Sequence, residues 1–518
     1  MWILGLILSL ELLSDLFKSD INSLEIMKRL FKGLLLSLLL VGCSIEEEPT
    51  SFVNPENYYQ TEAQIISGLN ATYIPLKTIY TYTYLIATEG VTDLMYIASG
   101  TLDAQLDISP AQPRFGQTMW TQGYRGVMYC NSIIEATRKA PIPEEVKKPL
   151  LAEGIVMRAY YYWFLTSTFG DVPFYTEDVA NAEVLDRISK LGRMSAVETR
   201  NYLIDELLEH VPNLPQIRTS DVDGNRCGAA MGWMILGKLA QWNKRWDVAR
   251  DAMKELEKIY GSLDQYPLSD LPLKNKNIKE SIFEVQFTYS ETGLQVVTNS
   301  AAICMPTRNR DNVYDGVVIP ELGNSATTWS ALRPNSYFVQ TVMRRNSGDL
   351  RLPLFLAWEY NGVTFNSVGT RPWLGPKFWS YNMVNSADGN NQRVFRYADA
   401  LLMQAENYME LRNADESIRY LNMVRKRAGL PMYEFRNWDL LREEIQKERG
   451  RELLGEYQRK YDLVRWGIWY QITYDYTDYA SLKNNMLPCH EYYPIPDMEV
   501  VKSNYALDNK AYEFYGRK

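Results

Sequence analysis

From residue 60 almost to the C-terminus, apolar residues recur at the three-to-four spacing of amphipathic helices, and a single long stretch interrupts them. Ile65, Ile66, Leu69 and Tyr73 share a helix face after Thr61-Glu62. Residues 119–138 and 146–169 follow, the second carrying Leu150, Ile155, Met157, Ala159, Tyr162 and Leu165 before Asp171-Val172-Pro173 stops it. Residues 196–210 form another amphipathic segment, closed by Pro212 and Pro215. Two helix pairs, 228–243 with 246–259 and 397–411 with 414–428, share a device: Gly237 and Ala249 are twelve apart, as are Ala405 and Ser417. Small residues at that offset let the helices of a hairpin approach closely, as in tetratricopeptide (TPR) units. The pattern predicts a mostly α fold, a TPR-like helical-hairpin superhelix.

The interruption spans about 260–395. Residues 280–287 alternate at period two and read as a strand. Beyond them Gly, Pro, Asn and aromatic residues crowd 293–380 with little periodicity. A long irregular insertion in a compact protein is functional or disordered, and Trp329, Trp358, Trp373 and Trp379 argue against disorder. This loop-rich insertion, with a little β, is the expected binding surface.

Composition narrows the chemistry. Lys+Arg 55 against Asp+Glu 63 leaves a net charge of -8, so no basic surplus exists to neutralise nucleic-acid phosphates. Only two histidines, His210 and His490, are available for proton transfer or metal binding. Cys130, Cys227, Cys304 and Cys489 lie far apart in sequence, which excludes a zinc ribbon or redox CxxC and suggests buried thiols. No metal or cofactor is expected. Tyrosine, at 36 against 16 phenylalanines, supplies rings with a polar tip, suited to half-wet surfaces.

The first residues read as export machinery. Met27-Lys28-Arg29-Leu30-Phe31-Lys32 is a basic head, Leu34 to Val41 a short apolar run, and Gly42-Cys43 its end. This looks like a bacterial lipobox, cleaved before Cys43 and lipidated there; the apolar run is too short for a membrane span. Residues 1–26 carry Glu11, Asp15, Asp20 and Glu25 and read as a spurious upstream extension, with Met27 as the start. The expected organisation is a signal peptide over 27–42, a lipidated tether over 43–59 and a single domain over 60–518. Glu46-Glu47-Glu48 resembles the export tag of surface-exposed lipoproteins.

Several motifs follow one another in order along the chain. Pro55-Glu56-Asn57-Tyr58-Tyr59-Gln60-Thr61-Glu62 is similar to the opening segment, and Trp120, Tyr124 and Asn131 to the W…Y…N helix, of the SusD/RagB family of surface nutrient-binding lipoproteins. Arg158-Ala159-Tyr160-Tyr161-Tyr162 with Phe169-Gly170-Asp171-Val172-Pro173 matches a hallmark pair. Arg226 to Ala230 looks like the start of a TPR pair, with Asn225 in place of the usual glycine. Arg396-Tyr397-Ala398-Asp399, Leu401 to Glu406, Asn422 to Gly429, Glu448 to Leu453, Asp462 to Trp466 and Pro494-Ile495-Pro496 complete the set. The resemblance implies a SusD-like, non-catalytic receptor, lipid-anchored on the outer membrane and facing outward. It also implies a partner, a SusC-type TonB-dependent transporter that receives oligosaccharides, or sometimes peptides.

The motif charges read as structural: Arg158, Arg396, Arg425 and Arg427, near Asp171, Asp399 and Glu406, lock helix pairs together. The stretch Glu448–Arg465 reads as a solvated charged face with i,i+4 pairs. Glycan binding needs flat rings and fork-like hydrogen bonds, and two loops offer them. One runs from Glu89 to Asp103 with Asp93, Tyr96 and Ser99. The other runs from Arg308 to Trp329 with Asn309, Arg310, Asp311, Tyr314 and the turn Trp329-Ser330-Ala331-Leu332-Arg333-Pro334. Trp358, Trp373 and Trp379 read as packing. The competing readings are a surface glycoside hydrolase, for which carboxylates alone carry no weight among 63 acids, and a TPR scaffold for envelope complexes.

Overall fold

A computed structural model describes residues 58–98, 101–290, 295–369 and 371–517. The signal segment, Cys43, the acidic triplet and Ser99 lie outside the described residues. The chain separates into Met1–Tyr58 and Tyr59–Lys518, and the following concerns the second unit.

In chain order the elements that matter are α1 (Glu62–Ala71), α2 (Tyr82–Thr88), β1 (Met95–Ile97), α3 (Phe115–Lys139), α4 (Glu144–Phe169), α5 (Ala196–His210), α6 (Ala229–Trp242) and α7 (Trp246–Tyr260). They continue as β2 (Ser281–Val285), α8 (Ser300–Cys304), β3 (Arg308–Arg310), β4 (Val313–Tyr314), β5 (Val317–Val318), β6 (Leu332–Pro334) and β7 (Gln392–Arg396). Last come α9 (Tyr397–Glu410), α10 (Ala414–Arg427), α11 (Trp438–Glu452) and α12 (Arg459–Arg465). The pairs α3/α4, α6/α7 and α9/α10 pack as hairpins, α5 bridges α4 to α6, and α7 packs on α9. The fold is mostly α, as the periodicity predicts.

Local chemistry explains the boundaries. Thr61 and Gln64 form a reciprocal capping box at the start of α1. Gly170 ends α4 at φ 73, a left-handed conformation that costs glycine nothing. Asp171 Oδ1 then accepts from Ala196 N at 2.8 Å and caps α5, while the Pro173 carbonyl accepts from Tyr124 Oη at 2.8 Å. Asn225, where the motif has glycine, indeed sits at φ 51. In the α9/α10 hairpin the two small residues touch: Ser417 Oγ donates to the Ala405 carbonyl at 2.7 Å. The α3/α4 approach is equally tight, since a Cβ on Gly126 would lie 2.3 Å from the Tyr161 ring. Gly126→Ala would therefore break that contact.

Tyr160, Tyr161 and Tyr162 are fully buried in the core shared by the helices and the insertion. Each fully buried large side chain adds roughly 1.5–3 kcal/mol. Trp358, Trp373 and Trp379 join the same core, as expected.

The charged motifs and the β2 alternation differ from their sequence reading. β2 pairs antiparallel with β7, and all five residues of each strand are buried, so β2's period-two alternation does not mark a solvent face. Its Glu284 pairs with Arg393 of β7, and Glu280, just before β2, pairs with Arg396 and Arg427; Arg396 also engages Glu452 and Glu456, and Arg427 engages Glu452. Arg351, from the insertion, meets Asp349, Glu448 and Glu452 with no exposure on any partner. The Glu448–Arg465 stretch is thus no solvated face; its first residues are a buried clamp between helices and insertion. Arg158 pairs with Glu206 and Asn131 rather than Asp171, whereas Asp399 binds Lys238 and Arg449, and Glu406 binds Arg465. Removing one member of such a buried pair costs about 3–5 kcal/mol.

Candidate functional site

The two loops singled out by composition meet in space. β1 pairs antiparallel with β6 in the register Met95↔Pro334, Tyr96↔Arg333, Ile97↔Leu332, and Ala98 N donates to the Ala331 carbonyl at 2.7 Å. Asn335 extends the joint, donating from N to the Leu94 carbonyl (2.8 Å) and from Nδ2 to the Thr92 carbonyl (3.0 Å).

At the near end of β6 stands Trp329, 40% exposed. Its backbone is fixed from α8: Trp329 N and Ser330 N donate to the Ala302 carbonyl (2.7 and 3.1 Å), and Ala331 N to the Ile303 carbonyl (3.0 Å). α8 is fixed in turn by buried Asp388, whose Oδ2 accepts from Ala301 N at 3.1 Å. Ser330 turns the chain at φ 55, a conformation uncommon outside glycine that over-determined sites retain. The Trp329 ring packs edge-on against Tyr82, with centroids 4.9 Å apart. Tyr82 opens α2 beside Thr81 and Thr83, whose hydroxyls share a hydrogen bond at 2.9 Å. The result is a solvent-facing aromatic corner rimmed by hydroxyls. Its tyrosine escaped the sequence reading, although the alternation Tyr80-Thr81-Tyr82-Thr83-Tyr84 leading into α2 signals it.

The other named residues separate into two groups. Asp93 is fully buried, and both its oxygens accept from Arg459 (2.8 and 2.6 Å); it holds β1's approach to α12 and cannot reach a ligand. Tyr314 is also fully buried, donating its hydroxyl to the Leu322 and Gly323 carbonyls (3.1 and 3.0 Å), and burial pushes it up to about 12. Both are corrections, with one cause: short polar loops fold their own side chains inward to satisfy backbone and charge. Tyr96 is 7% exposed and accepts from Arg371 Nη1 at 2.7 Å. Its cross-strand partner Arg333 stacks on Trp373, 3.6 Å from the ring centre.

Arg308 is half-buried and stitches its own loop, donating to the carbonyls of Ala326 (2.6 Å), Asn324 (2.8 Å) and Asp311 (3.3 Å). Asn309 is exposed and accepts from Gly316 N at 3.1 Å. Arg310 and Asp311 are exposed, and Asp311 sits at φ 37 in the β3–β4 turn. Arg308 and Asn309 therefore shape the loop that ends at Trp329.

Groups poised near neutral pH lie elsewhere. Burial raises Glu89 and Glu153 to about 7 and Asp388 to about 6. Glu89 accepts backbone N–H groups from Gly455, Gln458 and Arg459, Glu153 accepts from Tyr73 Oη, and Asp388 caps α8. Burial drives His490 down to about 3, holding it neutral. Among the described residues no cluster of His, Cys, Asp and Glu could hold a metal ion.

Two family profiles match the chain: "SusD family" over residues 373–512 and "Starch-binding associating with outer membrane" over residues 60–207. SusD-like protein P25 of Formosa agariphila is 25% identical over 527 residues, covering 90% of this chain and 95% of its own. Among solved structures, a SusD superfamily protein from Bacteroides vulgatus superposes with TM-score 0.70 at 21% identity, over 87% of this chain and 99% of that one. Surface glycan-binding protein A from Bacteroides thetaiotaomicron, in complex with laminarihexaose, does so with TM-score 0.66 at 20% identity, over 86% and 98%. Profiles at both ends, full-length relatives and a shared helical-hairpin architecture agree that the chain belongs to the SusD/RagB family.

Proposed function

We propose that the chain is a non-catalytic carbohydrate receptor of the outer cell surface that hands oligosaccharides to a SusC-type TonB-dependent transporter. The observation that carries this reading is the Trp329–Tyr82 corner: an exposed indole on rigid backbone, ready to stack on the C–H face of a sugar ring while neighbouring hydroxyls bond its rim. A binding site prepared this way loses little conformational entropy when occupied. Support for the ligand class comes from the similarity to a laminarihexaose-bound glycan-binding protein and to the starch-binding profile. Cys43, through the lipid it would carry, supplies the membrane attachment, and no described helix is long and apolar enough to cross a membrane. A receptor without turnover is consistent with where the near-neutral carboxylates sit: each is buried and engaged in holding backbone or a neighbouring element, Asp388 by capping α8 behind the corner.

The test is titration with laminarihexaose and maltohexaose, followed by tryptophan fluorescence and by chromatography of the sugar. Saturable binding with intact oligosaccharide supports a receptor; shorter products would assign a hydrolase instead. Cys43→Ala should release the protein from membranes, and affinity capture from native membranes should retain a TonB-dependent transporter.

A further inference from the structure

The insertion holds a cleft of about 610 Å³, whose walls include Gln340, Arg344, Arg345, Asn346, Ser347 and Trp358. It opens where the wide helical turn Phe338–Val342 closes through Met343 N donating to the Phe338 carbonyl at 2.8 Å. Arg344 then takes φ 51, and Ser347 N returns to its carbonyl at 3.0 Å. Ser347 Oγ donates to the Met343 carbonyl at 3.0 Å, so the floor of the cleft is tied.

The arginines here are unlike their neighbours. Arg351, six residues on, is enclosed by three carboxylates. Arg344 and Arg345 pair with no carboxylate among the described residues, in a chain of net charge -8. Arg345 instead lies over the Trp358 ring, 4.7 Å from its centre, which leaves the edges of its guanidinium fork for another group. The indoles make the same distinction. Trp373 Nε1 donates to Asp315 and Trp379 Nε1 to the Leu374 carbonyl, whereas Trp358 Nε1 has no acceptor among the described residues. Trp358 is packed in the core yet keeps a donor for the cleft.

We propose that this cleft binds an acidic sugar residue of the captured glycan. Arg344 and Arg345 take the oxygens of a carboxylate or sulfate group, while Trp358 Nε1, Gln340 and Asn346 bond ring hydroxyls. The planar guanidinium matches a two-oxygen anion in paired, charge-assisted hydrogen bonds, and a neutral sugar would leave both arginines unanswered. This assignment rests on the receptor reading above and adds the class of glycan.

Calorimetric titration with hexagalacturonate, a sulfated carrageenan hexasaccharide and laminarihexaose tests it, and comparison of the first two separates carboxylate from sulfate. Wild-type protein should bind at least one acidic probe, more weakly as salt rises. Arg344→Gln with Arg345→Gln should lower that affinity about tenfold or more while leaving laminarihexaose binding and the melting temperature unchanged. Failure of wild type to bind either acidic probe overturns the inference, as does acidic binding indifferent to the double substitution. If laminarihexaose alone binds, the receptor reading stands and this assignment falls; if no oligosaccharide binds, both fall.

Discussion

Asp93 and Arg459, 366 residues apart in sequence, form a two-pronged ion pair at 2.8 and 2.6 Å that joins the approach to β1 to helix α12. The carboxylate has no exposure and the guanidinium 5%, so each is the other's replacement for water. Asp93→Asn would strand a buried cation and should cost about 3–5 kcal/mol of stability. Denaturant unfolding measures that loss, and glycan affinity of the remaining folded protein should not change. A variant of ordinary stability that no longer binds sugar would return Asp93 to the ligand site.

Trp329 should behave oppositely. Its ring is exposed and touches chiefly Tyr82, so Trp329→Ala removes little core packing. Oligosaccharide affinity should fall by about 2 kcal/mol, roughly thirtyfold, as for an aromatic anchor. Far-ultraviolet circular dichroism should be unchanged. Unaltered affinity removes the corner from the binding surface.

Arg308 lies between these extremes. Its three bonds to the carbonyls of Ala326, Asn324 and Asp311 hold the loop whose far end is Trp329. Arg308→Ala should speed hydrogen exchange over 308–328 and weaken sugar binding by less than loss of the ring itself, since the indole remains but is less well placed. Equal exchange rates in the two proteins would show that the loop stands without Arg308.

How far these roles were legible follows from what each residue must satisfy. Helices α3, α5, α7 and α10 are written in apolar periodicity because each buries one face, while α4, α6 and α9 lie inside the core and are buried on every side over most of their length. Asp93 and Tyr314 looked like ligand groups because composition does not say which way a loop side chain turns. Their partners, Arg459 and the Leu322–Gly323 carbonyls, are set by tertiary contacts, and Arg459 lies at the other end of the chain. Tyr82 was missed for the converse reason. It opens α2 and becomes part of a surface only when the insertion brings Trp329 against it.

The buried carboxylates give stability an unusual pH profile. Burial raises Glu153 to about 7, with the Arg226 cation only partly opposing it. A carboxyl whose folded value lies above its unfolded one, 4.5, favours folding fully below that unfolded value, and the contribution is lost as pH rises through about 7. Glu89, also near 7, acts in the same direction. Asp462 is the reverse: burial raises it, but Arg449, Arg465 and Lys238 outweigh burial and bring it to about 2. Its contribution, roughly 2 kcal/mol, is present above its unfolded value and lost as pH falls toward 2. The two signs together place maximum stability in mildly acidic solution, between the loss of Asp462 pairing below and the charging of Glu153 and Glu89 above. Unfolding free energy measured from pH 4 to 8 should therefore fall toward the alkaline end. Glu153→Gln keeps an acceptor for Tyr73 Oη and cannot ionise, so its curve should fall less steeply over the same range. Parallel curves for the two proteins would show that Glu153 titrates as it does in water.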